Sequence, residues 1–90
     1  MPHTIAMKPK LLARVRRLKG QMEAIERAVE AEAACHEVLN LVASVRGAIN
    51  GLTAELIEDH IRNHVVDVAD ERIRSKGGAE LINVIRSYLT

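Results

Sequence analysis

An all-α fold of three helices, with an unusually long middle helix, is what this 90-residue chain predicts. Three observations carry that expectation. Apolar residues recur at steps of three and four along most of the chain, the spacing of one helix face. The core material is aliphatic, with Tyr88 the only aromatic residue. No segment alternates with the period of two that a half-buried strand requires. A chain of this length reads as one domain, and one whose modest core is commonly completed by another copy.

Met1–Met7 reads as a short arm carrying His3. Pro9 suits the first turn of a helix, where its missing N–H costs nothing. From Lys8 to about Ala31, Leu11, Val15, Leu18, Met22, Ile25 and Val29 line one face, with Gly20 the only interruption. A break is expected near Glu32–Ala34. The second helix then runs from about Ala33 to Val66, with Val38, Leu39, Val42, Val45, Ile49, Leu52, Leu56, Ile57 and Ile61 forming a wide apolar surface. So long a helix in so small a domain suggests a hairpin built to pack against copies of itself. Asp67–Lys76 is polar and reads as a connection punctuated by Gly77-Gly78, and Ala79–Leu89 as a short final helix.

The single cysteine excludes an intrachain disulfide and a four-cysteine zinc site, and it fits a reducing cytoplasm. No signal peptide is visible in Met1–Lys10, and no apolar run is long enough to span a membrane. The formal net charge is only +1, yet Lys8, Lys10, Arg14, Arg16, Arg17 and Lys19 precede the first acid, Glu23. A near-neutral total thus conceals a basic end, which an oligomer would multiply. There are no paired carboxylates placed for acid–base work, no phosphate-binding loop, and no nucleophile–base pair outside the candidate metal ligands. An enzyme is therefore not expected.

If residues 35–64 form one helix, ~100° per residue puts His60 about 20° to one side of Cys35 and His64 about 20° to the other. The three share a face, but Cys35 and His60 stand roughly 37 Å apart along it. Two copies packed antiparallel would bring Cys35 of one subunit beside His60 and His64 of the other. A thiolate with two imidazoles is a transition-metal ligand set. His36 lies about 100° off that face.

His3 adds a further imidazole. Removal of Met1 would leave the Pro2 amine next to it, and amine and imidazole could join one metal. On the first helix Lys10, Arg14, Arg17 and Gln21 form one stripe at spacings of four, three and four. This is a face suited to DNA phosphates and base edges, or else simply a solvated one. Gly47 and Gly51 imply a close helix–helix approach, since mid-helix glycine costs about 1 kcal/mol against alanine.

Arg14-Val15-Arg16-Arg17-Leu18-Lys19-Gly20-Gln21, then Cys35, Val38 and Leu39, then Val45-Arg46-Gly47-Ala48-Ile49-Asn50-Gly51-Leu52 and His60-Ile61 together resemble the CsoR/RcnR/FrmR repressors. The resemblance covers essentially the whole chain. It implies a three-helix protomer, an antiparallel homodimer and a flat homotetramer. It also implies that double-stranded promoter DNA is held without a helix-turn-helix, by basic side chains on the tetramer face, and that an inducer weakens that hold; the residues expected to make the contacts are Lys10, Arg14, Arg17, Lys19 and Gln21.

Copper sensors of the family use two cysteines, the second at position 64, where this chain has His64; persulfide sensors also need a pair. The nickel/cobalt branch matches at His3, Cys35, His60 and His64, and in the opening Met1-Pro2-His3-Thr4-Ile5. Asn40 and Leu41 stand where a glutamine pair is common. The formaldehyde sensors pair an N-terminal proline with a cysteine, as Pro2 and Cys35 do here, but tend to lack His64. The resulting expectation is a cytoplasmic repressor released from DNA by Ni(II) or Co(II), with no organic cofactor, controlling a metal efflux system. The alternatives are a formaldehyde-responsive repressor using Pro2 and Cys35, and a metal-binding protein with no DNA role.

Overall fold

The computed structural model describes residues 3–89, and side chains from 5 to 89. The long elements are three helices, as expected, and among the described residues there is no strand. In order they are α1 (His3–Ala6), α2 (Lys8–Glu30), α3 (Cys35–Ile61), a π-helical turn (Arg62–Val66) and α4 (Glu71–Leu89). The chain divides within α3, after Thr53, into two compact units.

In the first unit, residues 3–6 form a single helical turn against α2. Pro9 sits in the first turn of α2, where an amide donor would have no intrahelical partner. The far end closes with two backbone bonds: Ala33 N–H donates to the Ala28 carbonyl at 2.9 Å and Glu32 N–H to that of Val29 at 3.1 Å. That pattern is the Schellman motif, which places one residue in the left-handed region, usually a glycine. Here it is Glu32, with φ 56°, which explains why the break is so faintly marked in the sequence. Gln21 of α2 then reaches α3, its Nε2 donating to Ser44 Oγ at 3.3 Å.

The second unit departs from the sequence reading in two places. α3 does not continue as an α-helix to Val66 but widens at Arg62, and Asp67 N–H donates to the Arg62 carbonyl at 2.9 Å, five residues back. The last helix begins at Glu71, eight residues before the expected Ala79, so Gly77 and Gly78 lie inside it. Its start is set by Asp70, whose Oδ1 accepts from Arg72 N–H at 2.9 Å and Ile73 N–H at 3.2 Å, satisfying two otherwise unpaired donors. Arg74 Nη1 donates back to the Val68 carbonyl at 3.3 Å, steadying the connection.

Gly77 is buried where α4 crosses the π turn. A Cβ there would overlap the His64 carbonyl oxygen and lie 2.9 Å from His64 Cβ. The glycine is thus a packing device and not a helix terminator. Among the described residues of the chain, the close approach expected at Gly47 and Gly51 is not made by helix backbone. A Cβ on Gly47 would meet nothing within 4 Å, and one on Gly51 would meet the Arg14 Nη1 at 3.4 Å.

Among the described residues Val45 is the only buried hydrophobic side chain, at 7% exposure. Val15, Met22 and Val29 of α2, Leu39, Val42 and Ile49 of α3, and Ile82, Tyr88 and Leu89 of α4 all remain exposed. The adjacent glycines of α4 provide a sharp contrast. Gly77→Ala is expected to cost roughly 1–3 kcal/mol through forced displacement of the π turn. Gly78→Ala, whose Cβ meets nothing within 4 Å, should gain about 0.5–1 kcal/mol from reduced chain entropy. Urea denaturation of the two variants checks this, and equal effects would contradict the packing role of Gly77.

Candidate metal centre and nucleic-acid interface

His60 lies in the last turn of α3 and His64 inside the π turn. Their rings stack with centroids 4.6 Å apart and planes 27° from parallel. Because His64 belongs to the wide turn, the 100° increment that put it 20° from Cys35 does not apply to it. The pairing of the two imidazoles nonetheless survives. His60 Nε2 lies 2.9 Å from the Gly77 carbonyl oxygen. A carbonyl only accepts, so Nε2 carries the proton and, in the neutral ring, Nδ1 carries the in-plane lone pair. Metal-ligating histidines commonly have this arrangement, the second nitrogen held by a carbonyl, carboxylate or water that fixes tautomer and ring plane. Two imidazole nitrogens each about 2.0–2.1 Å from one ion lie within ~4 Å of each other, a span that neighbouring rings can meet. The donor chemistry therefore fits a borderline transition metal.

Cys35 opens α3 as a free, exposed thiol. Pro2 and the His3 side chain lie outside the described residues. Among the described residues no group of three or more His, Cys, Asp or Glu side chains of one chain could hold a metal.

Lys10, Arg14, Arg17, Lys19 and Gln21 all lie on α2. Arg14, Arg17 and Gln21 line one recess together with Leu18 and with Ser44 and Ala48 of α3. Lys10 is exposed one turn before Arg14. Lys19 lines a different groove with Met22, Glu23, Ile25 and Glu26, and so is not gathered with the stripe.

The sequence profile of a family described as metal-sensitive transcriptional repressor matches residues 7–87. The chain belongs to this family. The transcriptional repressor RcnR of Salmonella paratyphi B is 37% identical over 89 residues, covering 99% of each chain. An uncharacterised Serratia marcescens protein encoded in the region 5′ of bioA is 48% identical over 90 residues, again with 99% of each covered. Among solved structures, a glutamate-to-histidine variant of the formaldehyde-responsive regulator FrmR from Salmonella enterica serovar Typhimurium superposes with a TM-score of 0.85 at 41% identity. The match covers 97% of this chain and 99% of that one. No described helix of this repressor-family chain is long and apolar enough to cross a membrane.

Two residues at these candidate sites are not marked by the sequence pattern. Gly77 looks like punctuation in the sequence, although it supplies the carbonyl that holds His60. Ser44 went unremarked, yet Ser44, Ala48 and Gly51 at spacings of four and three make a small-residue face on α3, the signal by which it could have been found. The His60 assignment has a direct check. In the metal-free protein, long-range proton–nitrogen NMR correlations of His60 should show a protonated Nε2 and a bare Nδ1; the opposite pattern would contradict the Gly77 hydrogen bond.

Proposed function

We propose that this repressor holds double-stranded promoter DNA in its metal-free form and releases it when nickel or cobalt binds, so that a metal efflux system is expressed. The observation that carries the reading is the His60–His64 pair, adjacent at 4.6 Å and anchored through His60 to the Gly77 carbonyl. Cys35 would supply a thiolate, His60 and His64 of the partner subunit two imidazoles, and His3 with the terminal amine the remaining donors. Bound there, the ion supplies a positive centre that accepts thiolate and imidazole lone pairs together. Five or six mixed N/S donors suit Ni(II) or Co(II) better than closed tetrahedral zinc. A homodimer, paired into a homotetramer, is supported by the exposed aliphatic stripes, notably Val15, Met22 and Val29 at steps of seven. Surface of that kind calls for burial against another copy.

Release requires that the inducer bind the DNA-free form more tightly, or the equilibrium would not move. His3 precedes the basic helix by a few residues, so its engagement would shift α2, which carries Lys10, Arg14, Arg17, Lys19 and Gln21. The competing reading, induction by formaldehyde, is supported by Pro2 and Cys35 and by the likeness to a formaldehyde-responsive regulator. A one-carbon bridge between a secondary amine and a thiolate, however, leaves His64 with no part to play.

Arg14→Ala and Arg17→Ala are each expected to weaken DNA binding without changing metal affinity, and to flatten the slope of log affinity against log salt by ~0.9 per lost phosphate contact. Mobility shift across a salt series checks this, and unchanged slopes would return the stripe to a solvated face. His64→Leu should reduce nickel and cobalt affinity by 10- to 100-fold or more, on the scale of a lost ligand or its support, and abolish metal-driven release while metal-free DNA binding persists. Metal titration with promoter release, with formaldehyde run in parallel, decides between the readings. A variant that keeps its metal response refutes the ligand set. Release by formaldehyde alone, in both proteins, hands the function to the other chemistry.

A further inference from the structure

The recess between α2 and α3 has a chemistry of its own. It is lined by two guanidinium groups, Arg14 and Arg17, by the Gln21 amide and the Ser44 hydroxyl, and by the aliphatic Leu18 and Ala48. Among the described residues that line it, none is acidic. Gln21 Nε2 donates to Ser44 Oγ at 3.3 Å, so the hydroxyl's single proton is turned elsewhere and remains a donor. The one side-chain acceptor that would repel an anion, Gln21 Oε1, is buried without a hydrogen-bond partner. Amide, hydroxyl and anion would then form a polarised chain of hydrogen bonds, each strengthening the next. The Arg14 guanidinium lies over α3 at Gly51, where a Cβ would approach its Nη1 to 3.4 Å, so glycine lets the long side chain rest against the helix. The cavity is about 390 Å³, against ~30 Å³ for one water in the liquid, which leaves room for a phosphodiester group and bridging waters.

We infer that this recess is a phosphate clamp, in which Ser44 of α3 joins Arg14, Arg17 and Gln21 of α2 around one DNA backbone phosphate. The inference rests on the DNA-binding reading above and adds a contact from the second helix. Binding then depends on the spacing of α2 and α3 as well as on the charge of α2. Since a backbone phosphate is the same at every sequence, the clamp must act equally on specific and non-specific DNA. Since serine is neutral, its loss must lower affinity without changing the number of neutralised phosphates.

The test uses the full-length protein with two duplexes of equal length, its own upstream region and an unrelated sequence. Ser44→Ala should weaken binding to both by the same factor, roughly tenfold for a lost hydrogen bond to a charged group, with the salt slope unchanged. Ser44→Thr, which restores a hydroxyl, should recover most of that loss. Gln21→Glu, nearly isosteric, should weaken binding further by placing a carboxylate in the clamp. Thermal melts matching the wild type confirm that each variant is folded. Inorganic phosphate, added at ionic strength matched by chloride, should displace DNA from the wild type no better than chloride does. If wild type binds DNA and Arg14→Ala weakens it while Ser44→Ala does not, the clamp is overturned and the DNA reading stands. A loss confined to the upstream duplex would make Ser44 a base-reading residue and equally overturn the clamp. Strong competition by inorganic phosphate with DNA binding indifferent to Ser44 would make the recess a free-anion site. Failure of the wild type to bind either duplex removes both readings together.

Discussion

The missing side chain at Gly77 is the constraint on which the second half of the molecule depends. Only a glycine allows α4 to cross the π turn at the His64 backbone, since any Cβ would overlap the carbonyl oxygen of that residue. The same crossing brings the Gly77 carbonyl within 2.9 Å of His60 Nε2. One steric allowance therefore packs the last helix, closes the wide turn and sets the imidazole's tautomer. Helix propensity opposes a glycine in mid-helix by about 1 kcal/mol, and the close approach offsets that cost. The Asp70 cap and the Arg74 bonds to the preceding carbonyls start the helix at the point that puts Gly77 opposite His64.

The first half is organised by a different complementarity. α3 presents Ser44, Ala48 and Gly51, none with a long side chain, to the long polar side chains of α2. Arg14, Arg17 and Gln21 line one recess with Ser44 and Ala48 of that face, Arg14 and Gln21 half-buried and Arg17 exposed. Holding Gln21 in place costs side-chain entropy, up to about 2 kcal/mol, and its hydrogen bond to Ser44 offsets part of that cost. In the proposed clamp, charge, hydroxyl placement and glycine all bear on the same recess.

Both halves leave aliphatic surface uncovered. With Val45 the single buried hydrophobic side chain among those described, the isolated chain gains little from the hydrophobic effect, which scales with apolar area removed from water. In the proposed assembly, the stripe of Val15, Met22 and Val29 and the face of Leu39, Val42 and Ile49 find their burial in other copies. The metal site would be completed by the same association. Folding, assembly and inducer binding would then draw on one set of contacts, a basis for coupling between them.

What the sequence determined by itself is whatever depends on period and local chemistry. The helical period placed α2 within a residue of its observed ends, because apolar spacing and Pro9 act within a single helix. The family could be read from contiguous motifs, and the neighbouring imidazoles from a four-residue spacing that held even when the turn widened. What only the tertiary structure decided involves groups far apart in sequence or backbone that the side-chain pattern does not encode. The left-handed Glu32, the π turn, and the early start of α4 at Glu71 each follow from hydrogen bonds that sequence periodicity does not register. Gly77 could not be told from punctuation without knowing that His64 lies against it. Ser44 acquired a role only when α2 was laid across it. A residue's chemistry is local, but the partner that gives it a use is supplied by the fold.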